Sequence, residues 1–341
     1  MTDPTTPAPR PGWWWIGLAV FAFTIVADLP VAQTLLPVHQ GLILLLPMVA
    51  ACALVGWWRG GSLPMAVVSI GTAAWAIGAV VRSGVSGDML SAGWSMVAAA
   101  CFGSSLLASR SRWFLGKGVV ATLGALLLAV CLVVLTPSGT DGLSRTMDAV
   151  LEVRGNADLN NWRVARSQML RSSAPKQADA ASIEMLDRFE AQVSALPQLA
   201  RGVLPSMLAL QTLAAMALAW ALFHRFSRTR LGEPLGRLRE LRFNDQWIWS
   251  VIVGLVVTLL PALAVFRPLG VNLLVFFGAL YAFRGAGVLA FFLRPGRSLF
   301  GLLVGVALLL LLRDGAVIAL GLVGLGDTWA DWRRRIRPAV S

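Results

Sequence analysis

Apolar positions along this chain fall in long unbroken runs separated by short polar breaks, not in the spaced pattern of a soluble amphipathic helix. WWWIGLAVFAFTIVA, GLILLLPMVAACALVGWW and WIWSVIVGLVVTLLPALAVF are the clearest runs. Uncharged stretches of this length predict membrane-spanning helices. Five spans are expected in the first part of the chain, at about 13–27, 41–57, 62–81, 89–109 and 113–136. A Pro/Thr-rich tail, residues 1–12, precedes them and is expected to be disordered. A sixth span is expected at 203–223, a seventh at 247–266 and an eighth at 269–293. The last apolar region, 298–326, is interrupted by Arg313-Asp314-Gly315 and reads better as two short antiparallel half-spans than as one tilted helix. The fold class expected is therefore an all-α, polytopic transmembrane bundle of about eight to ten spans.

Two segments depart from this pattern. Residues 137–201 are polar, with eight Lys/Arg against eight Asp/Glu. Ile183, Leu186, Phe189, Val193 and Leu196 recur at helical spacing there, predicting an amphipathic helix that Pro197 ends. A shorter helix is expected before Gly155 and another around Trp162, so the insert reads as a small helical cap. The second departure is HRFSRTRLGEPLGRLRELRFNDQW, residues 224–247, with six arginines. Leu231, Leu235, Leu238, Leu241 and Phe243 predict the apolar side of an interfacial helix, with Arg237, Arg239 and Arg242 toward lipid headgroups. Asn244 is expected to cap the seventh span, with Asp245 near the positive end of its dipole, and Trp247 and Trp249 to anchor it at the interface.

Composition agrees with the pattern: 57% of the 341 residues are hydrophobic and only 13% charged. The net charge of +12 raises the question of nucleic acid, but the excess lies in short segments beside apolar spans. There it sets orientation and meets anionic lipid. The expected partners are the bilayer and membrane or cytoplasmic proteins, with no nucleic acid. With the N-terminus cytoplasmic, the rule that cytoplasmic loops are basic places 137–201 outside and both the basic loop 224–246 and the tail 327–341 inside. The C-terminal membrane bundle then covers 202–326.

Candidate chemistry is sparse. Cys52, Cys101 and Cys131 lie singly within apolar runs and no metal-ligand spacing occurs. Phosphate loops, serine triads and paired intramembrane carboxylates are absent from the sequence. The expectation is a protein that is not an enzyme and needs no cofactor or metal. Charged residues inside membrane segments are costly and mark function by default. Arg284, in LYAFRGAGVLAFF, is the sharpest candidate for binding a ligand, with Asn272 expected to face the same cavity. Its plainer alternatives are a helix break at an interface or an ion pair with Asp314, and Arg313 and Asp314 join the ligand candidates. Asp327 and Asp331 are spaced for one helix face, and with Arg333, Arg334 and Arg335 they form a candidate surface for partners or headgroups.

The C-terminal GLVGLGDTWADWRRR, with Gly324, Leu325, Gly326, Asp327, Trp329, Asp331 and Arg333, resembles the ending of the YybS-like family of bacterial membrane proteins. FNDQWIW and LYAFRGAGVLAFFL extend the resemblance upstream, although Arg284-Gly285 stands where that family usually has glutamine-glycine. The resemblance implies a bacterial cytoplasmic membrane location and a distant likeness to the substrate-binding components of energy-coupling-factor transporters. It implies no assigned activity. Two functions follow as expectations: a solute-binding transporter or transporter subunit without its own ATPase, or a membrane scaffold for envelope machinery that docks partners through the basic loop and tail.

Overall fold

The computed structural model describes residues 13–28, 36–38, 40–108, 113–137, 139–172, 180–236, 238–241, 243–293 and 315–335. Among them there is no strand. The helices are α1 (Trp13–Asp28), α2 (Gly41–Trp58), α3 (Leu63–Ser83), α4 (Ser86–Ala108), α5 (Phe114–Leu135), α6 (Gly139–Ser172), α7 (Ala180–Phe226), α8 (Ile248–Leu259), α9 (Arg267–Leu293), α10 (Ala316–Ala330) and α11 (Trp332–Arg335). Six described helical stretches are long and apolar enough to cross a bilayer. Large side chains that water would penalise stand exposed on them, including Trp75 at 70% and Leu135 at 80%. Such surfaces belong against lipid. The chain is an all-α, multi-pass membrane protein.

It divides into two compact units after Pro234. The sequence groups the sixth span with the C-terminal bundle, but the structure packs α7 into the N-terminal unit. The reason is its lining: Gly56 of α2 faces the ring of Phe223, and Gly118 of α5 faces the Leu213 side chain. Trp220 and Met216 are fully buried in the same unit.

Helix α7 is continuous for 47 residues, about 70 Å at the α-helical rise, so it far exceeds a bilayer core of about 30 Å. Pro197 does not end it, nor does Pro205. Likewise α6 is one helix of 34 residues that runs through Gly155 instead of stopping there. The two corrections share a cause. A Cβ on Gly155 would lie 2.5 Å from Cγ of Pro197, so glycine and proline form the contact between antiparallel α6 and α7, and tertiary packing overrides the local breaking tendency. The pair is further held by Arg163–Glu190 at 3.0 Å, Arg166–Asp187 at 2.6 Å and Arg201–Asp148 at 2.6 Å. Trp162 packs on Phe189 with ring centroids 4.4 Å apart.

Buried polar side chains fix the rest of this unit. Gln211 takes both backbone groups of Val38, accepting from its N–H at 3.1 Å and donating to its carbonyl at 2.5 Å. Gln211→Leu leaves both groups of a buried residue unpaired. It is expected to cost about 1–3 kcal/mol, read as a lower unfolding temperature of the purified protein in detergent. At the other end of α7, Lys117 Nζ donates to the Leu231 carbonyl at 3.2 Å and Trp220 Nε1 to the Glu233 carbonyl at 3.0 Å. His224 Nε2 lies 3.2 Å from the Gly232 carbonyl. Three successive carbonyls are thus held against the helix ends.

That capture explains why no interfacial helix follows among the described residues. Leu231 is buried in the N-terminal unit, and Gly232, Pro234 and Gly236 break the register before Leu238. Only a 3-10 turn, Leu238–Glu240, forms among the described residues of the expected helix.

The C-terminal unit is built on α9. Helix α8 spans 12 residues, about 18 Å, too short to cross alone, and a Pro261–Phe266 3-10 turn returns the chain into α9. The seventh span expected over 247–266 is therefore a short helix and a turn. Asn244 caps not this helix but the 3-10 turn Asp245–Trp247 that leads into it, accepting from the Gln246 N–H at 3.0 Å. Most of the 298–326 region lies outside the described residues; its last part belongs to α10.

Candidate functional site

Glycine creates the site. A Cβ on Gly285 of α9 would collide with the Leu320 carbonyl, and one on Gly324 of α10 with the Tyr281 carbonyl. The two helices therefore meet backbone to backbone, as small residues permit in membrane helices. This contact brings Arg284 and Asp327, each next to the crossing, within reach of one another. Gly287 does the same for the polar loop: a Cβ there would lie 2.5 Å from the Leu238 carbonyl, so the loop rests directly on α9. The 3-10 turn Asp245–Trp247 that precedes α8 places Asp245 beside Arg284.

The result is a buried ionic cluster. Arg284 donates through Nε to Asp327 Oδ2 at 3.1 Å, through Nη2 to the Asp327 carbonyl at 3.3 Å and through Nη1 to Asp245 Oδ1 at 2.9 Å. Arg333 Nη2 donates to the same Asp327 Oδ2 at 2.6 Å. Its Nη1 reaches the carbonyls of Arg239 at 3.1 Å and Leu241 at 3.0 Å. Asp327 is 0% exposed, Arg333 2% and Arg284 4%, whereas the Asp245 side chain is 64% exposed. An aromatic group walls the cluster: Arg284 stands over the Phe243 ring at 5.3 Å, and Phe243 stacks on Trp247 at 5.0 Å. Three buried polar atoms of the cluster make no hydrogen bond: Asp327 Oδ1, Arg333 Nε and the Tyr281 hydroxyl, which lies beside Thr328 but outside hydrogen-bond geometry.

Several expected placements change. Arg284 pairs with Asp327 and Asp245; Asp314, the partner the sequence offered, lies outside the described residues. Asn272 is about 18 Å back along α9, half-buried, and donates to its own helix at the Pro268 carbonyl at 2.8 Å. It does not share a cavity with Arg284. Asp327 and Asp331 do not lie on one helix face, because α10 ends at Ala330 and Asp331 takes the left-handed conformation with φ 40°. That turn reverses the chain and aims Arg333 back at Asp327, so the Asp327 carboxylate is enclosed and unavailable to a partner's groove. Arg239 is exposed beside Glu240 at 3.4 Å, and Arg334 and Arg335 lie in α11. Arg237, Arg242, Arg313 and Asp314 lie outside the described residues. Asp245, Tyr281 and Phe243 belong to the cluster and were not singled out for it by the sequence, where Asp245 reads only as a helix-dipole partner.

Residues 165–328 match the model of a family described as "Predicted membrane protein (DUF2232)". The matched stretch begins in α6 and contains α7, Asp245, Arg284 and Asp327; it leaves out the five N-terminal helices and Arg333. No curated protein and no solved structure matches the chain.

Proposed function

We propose that this multi-pass protein of the bacterial cytoplasmic membrane binds a small solute or lipid-like ligand through the Arg284 cluster. In this reading it serves as a non-enzymatic transporter or transporter subunit that draws on an external energy source. The observation that carries it is the asymmetry of Arg284. One edge of a buried guanidinium is fixed by an enclosed carboxylate, while the other is met, among the described residues, only by an exposed one. Ionisable groups inside membrane segments are costly, and purely apolar packing would serve a bundle as well or better.

The alternative, a scaffold that docks envelope proteins, draws support from Arg333. Its hold on the Arg239 and Leu241 carbonyls ties the basic loop to the C-terminal segment and presents them together. One experiment separates the two readings. Purified protein is screened in detergent for solute-dependent thermal stabilisation, with Arg284→Lys as the control that keeps the charge but loses the planar fork. Ligand binding predicts a stabilising solute whose effect Arg284→Lys removes. An unresponsive protein that co-purifies with an envelope partner supports the scaffold.

A further inference from the structure

The charge balance of the cluster specifies what it would take. Arg284 and Arg333 share a single enclosed carboxylate, so the enclosed groups alone carry one excess positive charge. The balancing charge is Asp245, which reaches in from a three-residue 3-10 turn while most of its side chain faces outward. Its contact with Arg284 is a single one, Nη1 to Oδ1. The Tyr281 hydroxyl is buried one helical turn before Arg284, within electrostatic reach of both Arg284 and Asp245, and makes no hydrogen bond. Arg333 Nε is a second buried donor in the cluster without an acceptor.

We infer that Arg284 is the receptor for a phosphate-bearing anion, which displaces the exposed carboxylate of Asp245. A phosphate group supplies more acceptor oxygens than the carboxylate it replaces, and guanidinium groups bind it in the same forked, charge-assisted manner. Asp327 stays in place as the fixed counter-ion on the inner edge, and Phe243 and Trp247 provide an apolar wall suited to the part of the ligand next to the phosphate. The same chemistry is offered by a phospholipid headgroup and by a soluble phosphorylated solute. This inference rests on the ligand-binding reading of the cluster and names its ligand class.

The test uses the full chain in detergent with two probes, inorganic phosphate at constant ionic strength and micelles doped with phosphatidylglycerol. Thermal stabilisation is followed in the parent protein, Asp245→Asn, Glu240→Gln and Arg284→Lys. Removing the competing carboxylate in Asp245→Asn is expected to strengthen phosphate binding about fivefold. Glu240→Gln, an equal change of charge on the same loop, is expected to leave it unchanged, and Arg284→Lys to weaken it. A response to inorganic phosphate identifies a soluble ligand, and a response to the lipid alone identifies a headgroup. Equal shifts in Asp245→Asn and Glu240→Gln overturn the inference, because they reduce the effect to net charge. If other solutes stabilise the protein through Arg284 while both phosphate probes fail, the ligand class is wrong and the binding reading survives; if no solute does, both fall.

Discussion

Asp327→Ala is expected to lower the stability of the protein by about 3–5 kcal/mol, the range for breaking a buried ion pair from one side. The cost does not come from the lost contacts alone. Asp327 Oδ2 receives both Arg284 Nε and Arg333 Nη2, so its removal leaves two enclosed guanidinium groups facing each other without the charge between them. Arg284 retains Asp245, and Arg333 retains two carbonyls, but neither partner lies between the two cations. Asp327→Asn keeps the shape and an acceptor, and is expected to be milder. The measurement is loss of helical circular dichroism on heating in detergent. A change within about 0.5 kcal/mol, the size of an ordinary surface substitution, would show that the cluster does not hold the unit together.

Combining Asp327→Leu with Arg284→Met and Arg333→Met tests cost against use. Three apolar side chains replace both guanidinium groups and the carboxylate they share, so the triple variant is expected to be more stable than the sum of the separate losses. Recovered folding without recovered solute response places the charges in function. Recovery of both assigns them to architecture.

What the sequence conveyed follows from which forces act locally. The first five helices match their expected boundaries within about three residues, because an apolar run bounded by Arg59-Gly60-Gly61 or Ser83-Gly84 needs no tertiary information. Pro197 and Gly155 misled for the opposite reason: each breaks helices in isolation, and only their mutual packing shows why neither does so here. Arg284 was conspicuous as a charge in an apolar run. Its partners were not, since Asp245 lies 39 residues away and Asp327 43. One signal was present: LYAFRGAG and GLVGLGD each set glycines close to a charged residue, the pattern that lets two helices approach until such charges meet. The left-handed Asp331 had no comparable mark, because aspartate is read first as a helix-face charge.

Gly324→Val tests that close approach directly, and is expected to cost about 3 kcal/mol or more. A flexible side chain can yield to an added methyl group, but the atoms around Gly324 are the Tyr281 carbonyl and the Gly285 N–H, both backbone. The helices must separate. Even Gly324→Ala is expected to destabilise by about 1–3 kcal/mol, against the ordinary helical preference for alanine over glycine. Gly124 of α5 provides the contrast: nothing lies within 4 Å of a Cβ built there, so Gly124→Ala is expected to be neutral or stabilising by up to about 1 kcal/mol. Opposite signs for the two alanine variants, measured by the same thermal unfolding, identify contact and not propensity as the cause. Separation of α9 from α10 also withdraws Asp327 from Arg284. Combining Gly324→Ala with Asp327→Asn should therefore cost less than the two losses added, since the first change has already loosened the pair that the second removes. Strict additivity would mean that the glycine crossing and the ionic cluster stabilise the unit independently, and that the crossing is not what brings the charges together.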